Sequence, residues 1–226
     1  MKTFFDEAGI KISDEQLNMF SAYKDLLKTY NDRFNLTAIT EDEEIIKKHF
    51  IDSVLYCDKL NGKTLIDVGS GGGFPAVPIK IMRPDIEVTM LEATGKKCMF
   101  LSEVVKELNL IGVTVINNRA EELAKDIKYR ESFDICTARA VARLNTLSEY
   151  CMPIVKPGGS FIAFKADAEE EIKEAMNAVK ILGGKLKGTV SFDLFCNKRT
   201  GLVRNKVQKT PEKYPRGNGK ERKKPL

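Results

Sequence analysis

The sequence predicts an α/β fold: a doubly wound, mostly parallel sheet with an N-terminal helical extension and a C-terminal antiparallel hairpin. Three observations carry this. Five short apolar runs from Thr64 onward alternate with amphipathic stretches of helical period, the pattern of a sheet wound with helices on both faces. The first run empties into the turn Gly69-Ser-Gly-Gly-Gly73, where missing Cβ atoms let the backbone approach a ligand and aim the next helix at it. The last two apolar runs are separated only by the short basic turn Asn197-Lys-Arg199, too short for a crossover helix.

The elements follow in order. Ser13-Asp-Glu-Gln16 is a capping box, and Leu17, Phe20, Leu27 and Tyr30 recur at helical spacing, so a first helix runs to about Asn31. Thr40-x-x-Glu43 reads as a second capping box, opening a helix that carries His49 and ends near Cys57. These helices make an extension over residues 1–60. Strands are expected at Thr64–Val68, Glu87–Glu92, Val113–Asn117, 133–138 and 160–165, and helices at Ala76–Met82, 96–109, 143–152 and 168–182. The hairpin takes 185–196 and 200–206, completing a core of residues 61–208. The tail, 209–226, is too poor in apolar residues to build a core and needs a partner or the sheet surface to be ordered.

Charge is uneven. Eleven Lys/Arg and only two Asp/Glu fall within 198–226, a local +9 on a body of −4. Such an end suits a polyanion, since each cation placed near a phosphate releases condensed counterions. Five scattered cysteines (57, 98, 136, 151 and 196) with no C-x-x-C pair give neither a disulfide framework nor a metal site. No apolar run reaches the length of a signal core or a membrane span, so the expected location is cytoplasmic, and no apolar stripe asks for a second subunit, so a monomer is expected.

The glycine loop calls for a nucleoside-containing cofactor. A dinucleotide fingerprint requires a third glycine where this chain has Phe74, followed by Pro75. S-adenosylmethionine fits better. Glu92, ending the second strand 23 residues beyond Gly69, is placed to accept from two ribose hydroxyls; Ala120 and Glu121 follow the third strand and bracket an adenine; Arg139 follows the fourth and faces the methionine end or the substrate.

These residues belong to segments that resemble the bacterial small-subunit ribosomal RNA methyltransferase G family, also called glucose-inhibited division protein B. The segments are His49-Phe-Ile-Asp-Ser53, Ile66-Asp-Val-Gly-Ser-Gly-Gly-Gly-Phe-Pro75, Lys96-Lys-Cys-Met-Phe-Leu101, Arg119-Ala-Glu121, Ala138-Arg-Ala-Val-Ala142, Lys213-Tyr-Pro-Arg216 and Lys224-Pro-Leu226. The resemblance implies a class I S-adenosylmethionine-dependent methyltransferase that modifies N7 of a guanine in 16S ribosomal RNA, free or in an assembling 30S particle. It implies cofactor contacts at Gly69, Phe74, Glu92, Ala93, Thr94, Ala120, Glu121 and Arg139, with Asp67 and Gly71 of the same loop completing the set. The chain departs from the family pattern at Ala76, at Ala166, which lies outside the residues described below, and at Lys220-Glu221-Arg222 of the tail.

Guanine N7 already offers an in-plane lone pair, so alignment suffices and no general base is needed; no residue is assigned as catalytic, and Arg139, His49 and Asp52 are given positioning roles. N7 faces the deep major groove of A-form RNA, so the target base must be unpaired or swung out. Ser53, Lys165, Arg199, Tyr214 and Arg216 are the expected RNA contacts, and truncating the tail is expected to weaken RNA binding while sparing the cofactor. The competing readings are an RNA-binding protein with a non-catalytic cofactor pocket, and a nicotinamide oxidoreductase, which Phe74 disfavours.

Overall fold

The structure, a computed structural model, describes residues 1–165, 169–194 and 197–226, with the side chains of residues 187 and 189–204 outside the description. Arg199 and Cys196 therefore lie outside the described residues.

In chain order the helices α1 (Lys2–Glu7), α2 (Asp14–Phe34), α3 (Asp42–Ile45) and α4 (Asp52–Val54) precede β1 (Thr64–Val68). Then come α5 (Ala76–Met82), β2 (Glu87–Glu92), α6 (Gly95–Glu107), β3 (Val113–Asn117), α7 (Ala120–Leu123), β4 (Phe133–Arg139), α8 (Leu144–Cys151), β5 (Val155–Lys165), α9 (Glu169–Ile181), β6 (Gly184–Leu194), β7 (Asn197–Lys206) and α10 (Lys220–Lys223). The sheet order is β3-β2-β1-β4-β5-β7-β6. Strands β1 to β5 pair in parallel, while β7 runs antiparallel to β5 and β6 antiparallel to β7. The order reverses between β1 and β4, which opens a crevice at their carboxyl ends, where ligands bind in such sheets.

Side chains alternate across the sheet with period two. Leu65, Met90, Ile135 and Ile162 point into one core with α2, α5 and α6; Ile66, Leu91, Cys136 and Phe161 point into the other with α8 and α9. The N-terminal extension joins the first of these: Phe20, Tyr23, Leu27 and Phe50 are fully buried with Leu65 and Ile79. Helix α1, absent from the sequence expectation, is held there by Phe5, whose ring lies 5.2 Å from Phe20.

The first capping box forms, with Ser13 Oγ accepting from Gln16 N and Gln16 Oε1 from Ser13 N. The second does not. Glu41 is the N-cap of α3 without a side-chain bond, and the start is fixed by Asp42, which pairs with Lys24 and Lys28 of α2. The expected continuous helix is also broken, widening into a π-helical turn over Ile46–Ile51 before α4. Strand β5 begins at Val155 rather than at 160, because Pro157-Gly158-Gly159, which reads as a turn, is a bulge between the pairs Phe133↔Val155 and Ile135↔Ser160. No helix among the described residues is long and apolar enough to cross a membrane.

Candidate cofactor and target site

Two cavities open at the carboxyl ends of the parallel strands. The smaller, about 350 Å³, is lined by Leu91, Glu92 and Ala93 after β2, Ala120 and Glu121 at α7, and Val141 after β4. The larger, about 570 Å³, is lined by Thr37, His49, Asp52, Phe74, Phe164 and Lys165. Gly69, Gly71, Lys97, Arg139 and Ala140 line both. The glycine loop and the end of β4 are thus a shared wall.

Two of the loop glycines have no room for a side chain. Gly69 has φ +74°, and a Cβ there would sit 2.6 Å from Val141 Cγ2; one on Gly73 would sit 2.6 Å from the Tyr23 hydroxyl. The same hydroxyl donates to the Gly72 carbonyl, so the extension helix α2 supports the loop from behind. On the opposite side, Ala140 holds φ +56°, a left-handed conformation uncommon for a residue with a Cβ, and turns the chain sharply after Arg139.

The smaller cavity suits a nucleoside. Apolar Leu91, Ala93, Ala120 and Val141 offer faces for a base, and Glu92 and Glu121 offer carboxylates for hydroxyls or amines. Glu92 is held in place by Gly71 N (3.0 Å) on Oε2 and Thr94 N (2.8 Å) on Oε1. Thr94 therefore shapes the site through its amide. Beneath the loop, Asp67 is fully buried; Oδ1 accepts from Thr137 Oγ1 (2.8 Å), but Oδ2 has no hydrogen-bond partner among the described residues. Burial pushes its carboxyl up to about 7. Asp67 lines neither cavity, so the expected contact from it is not formed; the cradle at Gly69, which a Cβ would fill, and the carboxylate of Glu92 are what fit S-adenosylmethionine.

In the larger cavity the side chains form one cluster. Arg139 donates to Asp52 Oδ2 (3.1 Å), the Lys48 carbonyl (3.2 Å) and His49 Nδ1 (3.0 Å), and its guanidinium lies 4.9 Å from the centre of the Phe74 ring. The His49 ring stacks on Phe74 at 4.3 Å, and its Nε2 lies 2.7 Å from Thr37 Oγ1. The π-helical turn carries His49 to this position, and such turns recur at functional sites. Burial, and then the Arg139 charge, lower the His49 pKa to about 3.

The structure thus brings together Gly69, Gly71, Glu92, Ala93, Ala120, Glu121 and Arg139 around one cavity, and places Phe74, His49, Asp52 and Lys165 on the other. Lys165 donates to the Ala142 carbonyl (2.8 Å) and pairs with Glu171 (2.9 Å). Three residues expected to meet RNA present little to solvent. Ser53 is fully buried and donates to the His49 carbonyl at 2.5 Å; Tyr214 is buried; Arg216 is paired with buried Glu149. Sequence reasoning missed Tyr23, Thr37, Tyr150 and Arg222, which carry no local motif. It also missed Lys97, which lines both cavities with no side-chain partner among the described residues although its segment was quoted.

Comparison with known proteins gives the family and the fold. Residues 16–199 match the model of the GidB family, described as rRNA small subunit methyltransferase G. The chain belongs to this family. A ribosomal RNA small subunit methyltransferase G of Acetivibrio thermocellus is 48% identical over 222 residues, covering 96% of this chain and 92% of that one. One from Clostridium perfringens is 47% identical, covering 100% and 97%. A solved SAM-dependent methyltransferase from Aquifex aeolicus shares the fold at 17% identity and TM-score 0.57, covering 74% of this chain and 94% of that one.

Proposed function

We propose that the protein transfers a methyl group from S-adenosylmethionine to N7 of a guanine in small-subunit ribosomal RNA, by alignment and without a general base. The observation that carries this is the pair of cavities meeting at Gly69, Gly71 and Arg139, one furnished for a nucleoside and one lined by a cationic and aromatic cluster. When bound, the cofactor supplies an electrophilic methyl on a sulfonium.

The chain's own residues do the rest. Glu92 and Glu121 hold the adenosine, the glycine loop fixes the reactive end, and Arg139, Phe74 and His49 form a rigid wall against which a swung-out base is oriented. Because N7 would give its in-plane lone pair and lose no proton, these residues have only to hold the base in line with the cofactor's methyl group and accommodate a cationic purine. Among the described residues, His49 Nδ1 is engaged by Arg139, Asp52 is paired with Arg139, and Asp67 lies beneath the loop, outside both cavity linings. Lys48, Lys97 and Lys165 line the larger cavity and supply positive charge for the phosphates of a single-stranded target. We take the protein to act in the cytoplasm as a monomer, on free 16S RNA or an assembling 30S particle.

The test is incubation of labelled S-adenosylmethionine with unmodified small-subunit RNA and with 30S particles, followed by nuclease digestion. Label in 7-methylguanosine is the expected result. Label in another nucleoside would overturn the N7 assignment, and tight cofactor binding without transfer to either substrate would favour the non-catalytic reading.

A further inference from the structure

The basic tail is built into the body. Arg130 donates to the main-chain carbonyls of Tyr214 (2.8 Å), Thr210 (2.9 Å) and Pro211 (3.2 Å). Lys206, a cation that composition would assign to a polyanion, is 1% exposed and donates to Thr210 Oγ1 (2.7 Å) and the Met152 carbonyl (2.7 Å). Arg216 makes a two-pronged pair with Glu149 of α8, Nε to Oε1 at 2.9 Å and Nη2 to Oε2 at 2.7 Å. Glu221, fully buried, accepts from Gly217 N, and its carbonyl accepts from Thr146 Oγ1 of α8 at 2.9 Å. Together these contacts, from Thr210 to Glu221, set α10 against α8.

The next residue is Arg222. It lines the smaller cavity with Asn118, Ala120, Glu121 and the buried Tyr150. It does not line the larger cavity.

We propose that Arg222 binds the adenosine half of the cofactor and that the docked tail is the last wall of that cavity. A guanidinium offers a flat cation to the face of an aromatic base and in-plane donors to its ring nitrogens. Tyr150 lines the same wall beside it. The position favours the adenosine half over the methionine half, because Arg222 stands with Ala120 and Glu121 rather than among the loop residues 70–72 that face the target cavity. Tail docking and cofactor binding are then coupled, each strengthening the other by the same factor. The neighbouring Lys220, Lys223 and Lys224 are exposed or partly exposed, so a polyanion drawn to the tail acts on the wall of the cofactor site.

This inference rests on reading the smaller cavity as the adenosine site, and the test separates the two. Calorimetric titration with S-adenosylhomocysteine and with 5′-methylthioadenosine, which lacks the amino-acid end, is run on the full chain, Arg222→Ala and Arg222→Lys. Both ligands are expected to bind Arg222→Ala about tenfold more weakly, with Arg222→Lys in between and the ligand-free melting temperature unchanged, since the side chain is exposed. Unchanged affinity in Arg222→Ala overturns the inference, as does a loss confined to S-adenosylhomocysteine. Failure of the parent chain to bind either ligand removes the adenosine-site reading itself.

Discussion

Arg139 Nη2 donates to His49 Nδ1 at 3.0 Å, across the face of a shared Phe74 ring. A guanidinium only donates, so Nδ1 is the accepting nitrogen and the ring proton sits on Nε2, toward Thr37. The imidazole is thereby fixed in one tautomer, and its lone pair faces a permanent cation. The chain's single histidine is thus held in place on both ring nitrogens.

The pairing has a stability consequence. His49 is held neutral, its pKa lowered from 6.5 to about 3, so below pH 6.5 the unfolded chain takes up a proton that the folded one refuses. Stability is lost as pH falls through that window, by about 2 kcal/mol between pH 7 and pH 5. Asp67 acts with the opposite sign: its folded pKa of about 7 exceeds the unfolded 3.8, so its burial penalty is relieved over the same range. The informative quantity is therefore a difference. In urea unfolding, His49→Gln should lose about 2 kcal/mol less than the parent chain on going from pH 7 to pH 5.

Arg139→Lys should retain the fold and lose most of the activity. One ammonium cannot serve Asp52, the Lys48 carbonyl and His49 Nδ1 with the planar geometry seen here. Displacing the target base by about an ångström costs on the order of 100-fold in single-turnover rate. Rates on 30S particles at saturating cofactor check this, with circular dichroism verifying the fold.

Gly69→Ala should abolish tight binding of S-adenosylhomocysteine. The new Cβ meets Val141 Cγ2 at 2.6 Å and carries the strain of φ +74°, about 1–2 kcal/mol. Gly69→Ala with Val141→Ala removes the clash but not the strain, so calorimetry should show partial recovery.

Arg216→Ala should destabilise the chain by about 3 kcal/mol, because Glu149 is fully buried and would lose its counter-charge. Denaturant unfolding measures it. Removing the tail after Lys209 is accordingly expected to weaken cofactor and RNA binding together, unlike the sequence-based expectation for such a truncation.

The sheet was legible because β1, β2 and β3 are short runs rich in β-branched and apolar residues between clear breakers, with burial strongest in β1 and the second half of β2. Gly69, Glu92 and Arg139 were legible for the same reason: each sits where a strand ends. The π-helical turn around His49 left no trace in the pattern, since widening by one residue per turn is decided by packing of Phe50 against Tyr23 and Phe74. Composition did not show how the tail is held. Charge counting cannot distinguish Arg216, matched by a buried Glu149 some 67 residues away in sequence, from a cation left free for phosphate.

Transfer by positioning alone is tested most directly by the pH dependence of the single-turnover rate on 30S particles from pH 6 to 9, at cofactor concentrations that saturate the site throughout. Saturation matters because Asp67 of the ligand-free protein has its pKa at about 7. With no proton to remove from N7, the rate is expected to stay within about twofold across the range. A rise of about tenfold per pH unit that follows one titrating group of the enzyme would contradict it.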